Sequence, residues 1–147
     1  MTDNHDTMEW SDAFLLGFTP MDDVHAEFVD LIGRIQVAGD AELPALFDAL
    51  KVHLEHHFEL ENQWMVETNF PPRDCHIDEH AAVLKSVGEV QELLREGNTA
   101  ICRDIVNELA NWFPSHADHP DSALVHWMSK LRFGGKPVVL RKGLSLG

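Results

Sequence analysis

The segment LKVHLEHHFELE, residues 50–61, sets leucines and ionisable side chains on one helical face. Leu50, Leu54, His57 and Glu61 follow at intervals of three or four residues, the spacing of side chains that stack along one side of an α-helix. With Leu50 at zero on a wheel of about 100° per residue, His57 and Glu61 fall about 20° to either side, whereas His53 lies about 60° off and His56 about 120° off. A helix therefore carries His57 and Glu61 into its oily face and turns His56 outward. Ionisable groups buried there are costly unless paired, so facing segments must supply partners.

Four segments share this periodicity, with breakers between them. Thr19-Pro20 reads as an N-cap followed by a first-turn proline, with Asp22 completing a capping box; Met21, His25, Phe28, Ile32 and Ile35 then line one face as far as about Gly39. Asp40 is placed to cap a second helix with Pro44 near its first turn, and Leu43, Leu46, Leu50, Leu54, Trp64 and Met65 mark its stripe to about Thr68. The NFPPRD stretch from Asn69 reads as a loop. A third helix carries His76, His80, Val83, Leu84, Val87, Val90 and Leu94 and is stopped by Gly97-Asn98. A fourth carries Ile101, Ile105, Leu109, Trp112, Phe113 and His116. Pro120 has no N–H for the carbonyl of residue 116, so this helix must loosen before a last helical stretch to about Leu131. Four helices with short connections predict an all-α, antiparallel up-down four-helix bundle. The bundle with its N-terminal arm is assigned residues 1–131 and a short basic C-terminal extension residues 132–147; no convincing strand is read, the VVL at 138–140 being too short to judge.

Composition narrows the classes. A chain of 147 residues is the size of one domain able to bury its own core. No apolar run approaches the roughly 18 residues of a membrane span. The N-terminus, MTDNHDTMEW, lacks the basic and apolar regions of a secretory signal, so a cytoplasmic protein is expected, with Cys75 and Cys102 as reduced thiols. The formal charge of −14 argues against nucleic-acid binding. It is unevenly spread: Lys130, Arg132, Lys136, Arg141 and Lys142 follow a body, residues 1–129, whose six basic and 25 acidic residues leave it at −19. That tail is read as a solvated extension or one folded back on the acidic body, with a dedicated protein partner the sharper alternative.

The inward faces carry His25 on the first helix, His57 and Glu61 on the second, His76 and His80 on the third, and His116 on the fourth with Asp121 five residues on. A lone histidine on an apolar face is ordinarily a satisfied core residue. Five histidines and two carboxylates converging from four faces would cost many kcal/mol if unpaired, since each isolated buried polar group costs a few. Coordination to metal removes that cost. Seven protein ligands exceed a single zinc site but suit two adjacent ions with bridging carboxylates and terminal imidazoles, and the nitrogen and oxygen donors favour iron. No HExxH occurs to support a zinc hydrolase.

These residues resemble the hemerythrins, specifically their single-domain bacterial form, over about residues 10–128. The resemblance is carried by Trp10, Gly17, MDDVHAEF, HFELENQWM, the NFP loop, CHIDEH and NWFPSHADHPD, and every position of the family's H…HxxxE…HxxxH…HxxxxD pattern is filled. It implies a non-haem di-iron centre: His76, His80 and His116 on one iron, His25 and His57 on the other, and Glu61 and Asp121 bridging beside an oxo or hydroxo oxygen. O2 would bind reversibly at the open position of the two-histidine iron, for storage, delivery or sensing, with no catalytic residue and no obligatory partner; bacterial members are often monomers. The sequence departs from the family around His116, where Pro114 and Pro120 flank it and Ala117 replaces a bulkier aliphatic residue. His119 is a substitute candidate for Asp121, the plainer reading being that it is simply exposed.

Mainly neutral imidazole donors supply less negative charge than the carboxylate-rich sites of oxidising di-iron enzymes, which favours carrying O2 over cleaving it. Phe28, Trp64, Met65, Trp112 and Phe113 are candidates for a dry lining, or for plain core packing. The alternatives are a di-iron peroxidase or scavenger of nitric oxide or peroxide on the same site, and a metal-ordered interaction module.

Overall fold

The computed structural model describes residues 7–132. Among them are four long helices and no strand: α1 (Thr19–Val37), α2 (Leu43–Glu67), α3 (Arg73–Arg95) and α4 (Thr99–His116). A five-residue π turn (Ala117–Asp121) continues α4 into α5 (Ser122–Arg132), with right-handed helical backbone at both junctions. α1 packs on α2 and α4, and α3 packs on the same two, which closes the expected four-helix bundle. No described helix is long and apolar enough to cross a membrane. The basic stretch from residue 133 on, including VVL, lies outside the described residues.

The helix ends explain the turns. After α2, Asn69 takes a left-handed φ of 53°, its N–H bonds the Val66 carbonyl, and Phe70 N–H bonds Met65. α3 ends alike at Gly97 (φ 94°), with bonds from Gly97 to Leu94 and from Asn98 to Leu93. Both are the two-bond stop that satisfies carbonyls left over at a helix C-terminus. The Asn98 side chain then accepts from Ile101 N–H and starts α4, so one dipeptide ends a helix and begins the next.

Two caps differ from the sequence reading. Thr19 lies inside α1, whose N-cap is Phe18 without a side-chain cap bond. Asp22 reaches further back and accepts from Leu16 and Gly17 N–H at 2.8 and 3.1 Å. Asp40 likewise does not cap α2: it opens a short 3₁₀ turn (Asp40–Glu42), in which Glu42 accepts from Gly39 N–H.

The arm is held against the bundle by Trp10 on Phe14 and Phe14 on Phe113, and by Met8 N–H to the Gln36 side chain. Gly33 permits this approach, since a Cβ there would stand 2.5 Å from the Met8 carbonyl oxygen.

The interior divides into a larger apolar cluster around Phe28, Phe47, Leu54, Phe58, Val87 and Phe113 and a smaller one of Met21, Met65, Phe70, Leu124 and Val125. Along α1 the sequence passes from Met21 through His25 to Phe28; along α2 from Leu54 through His57 and Glu61 to Met65. From α4 to α5 it passes from Phe113 through His116 and Asp121 to Leu124. His25, His57, Glu61, His116 and Asp121 thus form a polar layer between two apolar ends.

Candidate metal centre

All seven residues singled out in the sequence are buried, and they meet in this layer. Nε2 of His25 lies 3.2 Å from Oε2 of Glu61 and 3.1 Å from Oδ2 of Asp121, and Nε2 of His57 lies 2.8 Å from the same Glu61 oxygen. The other carboxylate oxygens face the other imidazoles. Glu61 Oε1 is 3.1 Å from His80 Nε2 and 3.7 Å from His76 Nε2; Asp121 Oδ1 is 3.1 Å from His76 Nε2 and 3.2 Å from His116 Nε2. Each carboxylate turns one oxygen to the His25 and His57 side and one to the side of His76, His80 and His116.

The π turn puts Asp121 there. In a regular α-helix, side chains five residues apart point about 140° away from each other. Bonding from Ser122 N–H to the Ala117 carbonyl widens the turn by one residue, so that His116 and Asp121 share a face. Pro120, which has no N–H, sits inside this turn. His119, the substitute candidate, is exposed and outside the cluster, as is His56.

Two groups of these residues have ligand atoms within 4.8 Å of one another: Glu61, His76, His80, His116 and Asp121; and His25, His57 and Glu61. The donor set fits metal ions better than a network of hydrogen bonds. Nε2 of His76, His80 and His116 and both oxygens of Asp121 are buried within about 3 Å of an oppositely polar atom, yet none makes a hydrogen bond of acceptable geometry among the described residues. Separations of about 3 Å are what adjacent ligands around an octahedral ion have when each metal–ligand bond is about 2.1 Å.

Without metal the layer must share protons. Burial works against a charged His25, but Asp121 and Glu61 outweigh it and raise its pKa from 6.5 to about 9. Burial is also opposed in the carboxylates: the surrounding histidines hold Glu61 and Asp121 below their ordinary ranges. His116 is raised, Asp121 prevailing over burial, while His80 is lowered because burial prevails over Glu61. Metal would compete with these protons, since imidazole and carboxylate ligate only when deprotonated.

The far sides of the rings bring in residues the sequence reading missed. His80 Nδ1 bonds the Asn62 side chain at 2.8 Å and its ring stacks on Phe58, centroids 4.0 Å apart. His116 Nδ1 bonds the Glu79 carboxylate and its ring stacks on Trp112 at 4.2 Å. Asn62 and Glu79 adjoin Glu61 and His80 in sequence, but polar residues beside a ligand on a helix are ordinarily solvent-facing, so sequence offered no signal. Of the expected lining, Phe28 and Phe113 do cover the other half, Phe113 meeting His25 edge-on at 5.0 Å. Trp64 instead packs on Phe18 at 5.1 Å, and Met65 belongs to the smaller apolar cluster.

Residues 16–128, which contain all seven positions, match the family model described as the hemerythrin HHE cation binding domain. The chain belongs to the hemerythrin family. It is 37% identical over 123 residues to the bacteriohemerythrin of Ralstonia nicotianae, a match that covers 84% of this chain and 90% of that protein. No solved structure gave a significant match. The hemerythrin match ends inside α5, so it takes in the π turn and the whole layer.

Proposed function

We propose that this hemerythrin-family protein holds two iron ions and binds O2 reversibly. His76, His80 and His116 would hold one ion, His25 and His57 the other, and Glu61 and Asp121 would bridge them. The observation that carries the reading is the division of both carboxylates, each with one oxygen toward each group of imidazoles. When bound, an iron pair supplies the electrons and open coordination that O2 binding needs.

The protein's own part is unequal on the two sides. His25 and His57 give one side two imidazoles where the other has three, leaving it room for a small exogenous ligand. Phe28 and Phe113 keep that side apolar, which restricts water and opposes loss of charged reduction products. Five neutral imidazoles against two carboxylates limit the negative charge available to more highly oxidised metal, so binding is favoured over oxidative turnover. The name of the Ralstonia relative, a bacteriohemerythrin, agrees with this reading.

The test is to load the protein anaerobically with ferrous iron, count iron per chain, and follow the visible spectrum as O2 is admitted and withdrawn. Two irons per chain and a band that comes and goes with the gas are expected. Irreversible oxidation with turnover of peroxide or nitric oxide would replace the carrier by the scavenging enzyme, and failure to take up iron would overturn the metal assignment.

A further inference from the structure

We propose that Glu79 is a positioning residue which sets the electron donation of His116 and so tunes the three-histidine half of the centre. The inference rests on the metal-binding reading above. His116 is 3% exposed, and of its two ring nitrogens Nε2 points into the layer while Nδ1 points away from it to the Glu79 carboxylate. Glu79 stands on α3 and His116 at the end of α4, so the bond also ties two helices together.

The chemistry follows from the acceptor. A carboxylate can only accept from Nδ1–H, which fixes the tautomer and leaves the Nε2 lone pair for a metal. An anionic acceptor also draws the proton partly away from the ring, making the imidazole a stronger donor than one bonded to a neutral group. His80 supplies the internal contrast, because its Nδ1 partner is the neutral side chain of Asn62. The stronger donor stabilises the more oxidised metal and lowers the reduction potential on that side.

Position makes Glu79 a route by which the surroundings reach the centre. Its side chain is 42% exposed, and it lines a surface groove of about 260 Å³ between α3 and α4. Trp112, which stacks on His116, lines the same groove, as do Val83, Ile105, Leu109 and, as a second carboxylate, Glu108. A buried ligand is thus held by two residues that solvent can touch.

The experiment compares the full-length chain with Glu79→Gln, Glu79→Ala and Glu108→Gln. Cobalt(II) affinity is measured first, by the visible bands of the bound ion, and then the midpoint potential of the iron-loaded proteins; circular dichroism of the metal-free forms verifies the fold. Glu79→Gln keeps an acceptor and loses the charge, so it should raise the potential while holding cobalt nearly as well as wild type. Glu79→Ala should raise the potential too and weaken cobalt binding by about 10–100-fold, the usual effect of losing such a partner. Glu108→Gln removes the same charge from the same groove without the bond and should match wild type in both. Wild-type potential in Glu79→Gln would overturn the electronic role, and an equal shift in Glu108→Gln would assign it to general charge instead. If wild type itself bound no cobalt or iron, the metal reading and this inference would fall together; wild-type binding with unaltered Glu79 variants would overturn this inference alone.

Discussion

The two halves of the buried layer use the same ligand type and are built differently. On the three-histidine side, His80 and His116 are each held from behind by a polar side chain and from the flank by a stacked ring. On the two-histidine side, Nδ1 of His25 and of His57 has no hydrogen-bond partner among the described residues, and the rings around them are those of Phe28, Phe58 and Phe113, with His53 beside His57. Polar anchors fix a ring's direction and its donor strength; apolar neighbours only confine it. Under the proposed function, the anchored half would hold its ion firmly and the apolar half would leave a small ligand a dry approach.

The largest effect should come from a change that removes a link between the halves. Glu61→Ala takes away one of the two carboxylates that touch both, and the one shared by both ligand groups, so iron should be lost from both sides. The metal-free form should also lose about 3–5 kcal/mol, the scale for breaking a buried ion pair. Iron counts and a denaturant titration measure this; retention of one full-occupancy ion would show the halves to be independent. Phe113→Ala acts on the two-histidine half, where it opens a cavity beside His25. A loss of about 3–5 kcal/mol is expected for so large a buried ring, with faster irreversible oxidation of the ferrous protein in air. An unchanged oxidation rate would mean that Phe113 packs without shielding.

The pH dependence of the metal-free protein sharpens the contrast at smaller amplitude. His25 is raised to about 9, so its contribution is complete below its ordinary 6.5 and is lost as pH rises through 9. His53, beside His57, is lowered to about 4 by burial and then by the nearby histidines, so its contribution is complete above 6.5 and is lost as pH falls toward 4. Stability of the metal-free bundle should therefore peak near pH 6.5 and decline on both sides, as thermal melts across pH 4–9 would register. A flat profile would show that these protons are not coupled to folding. The smallest change is expected from His56→Ala, within about 0.5 kcal/mol and with full iron content, because His56 is exposed. Loss of iron there would overturn the register of α2.

Much of this was legible in the sequence where a periodic pattern carried it. His57 and Glu61 fall within about 20° of the centre of a leucine stripe, and both are buried, while His56 is turned out as the wheel requires. The Gly97-Asn98 stop was readable because left-handed backbone and side-chain capping belong to those residue types. Thr19 and Asp40 misled because other side chains take the backbone N–H groups at these helix starts, Asp22 those of Leu16 and Gly17 and Glu42 that of Gly39, while Asp40 pairs with Arg103. For Trp64 the sequence left lining and core packing open, and the ring packs on Phe18 against the smaller apolar cluster.

By itself, the sequence determined that there are four amphipathic helices, where they break, and which six ionisable side chains on them point inward (His25, His57, Glu61, His76, His80 and His116), because helical periodicity is a local property of the chain. Only the tertiary structure decided how those side chains divide between two sides, how the π turn brings Asp121 round to His116, and that Asn62 and Glu79 stand behind His80 and His116 while His25, His57 and His76 have no such partner among the described residues. Distances between atoms on different helices depend on the packing of the whole bundle, and no spacing along the chain encodes them.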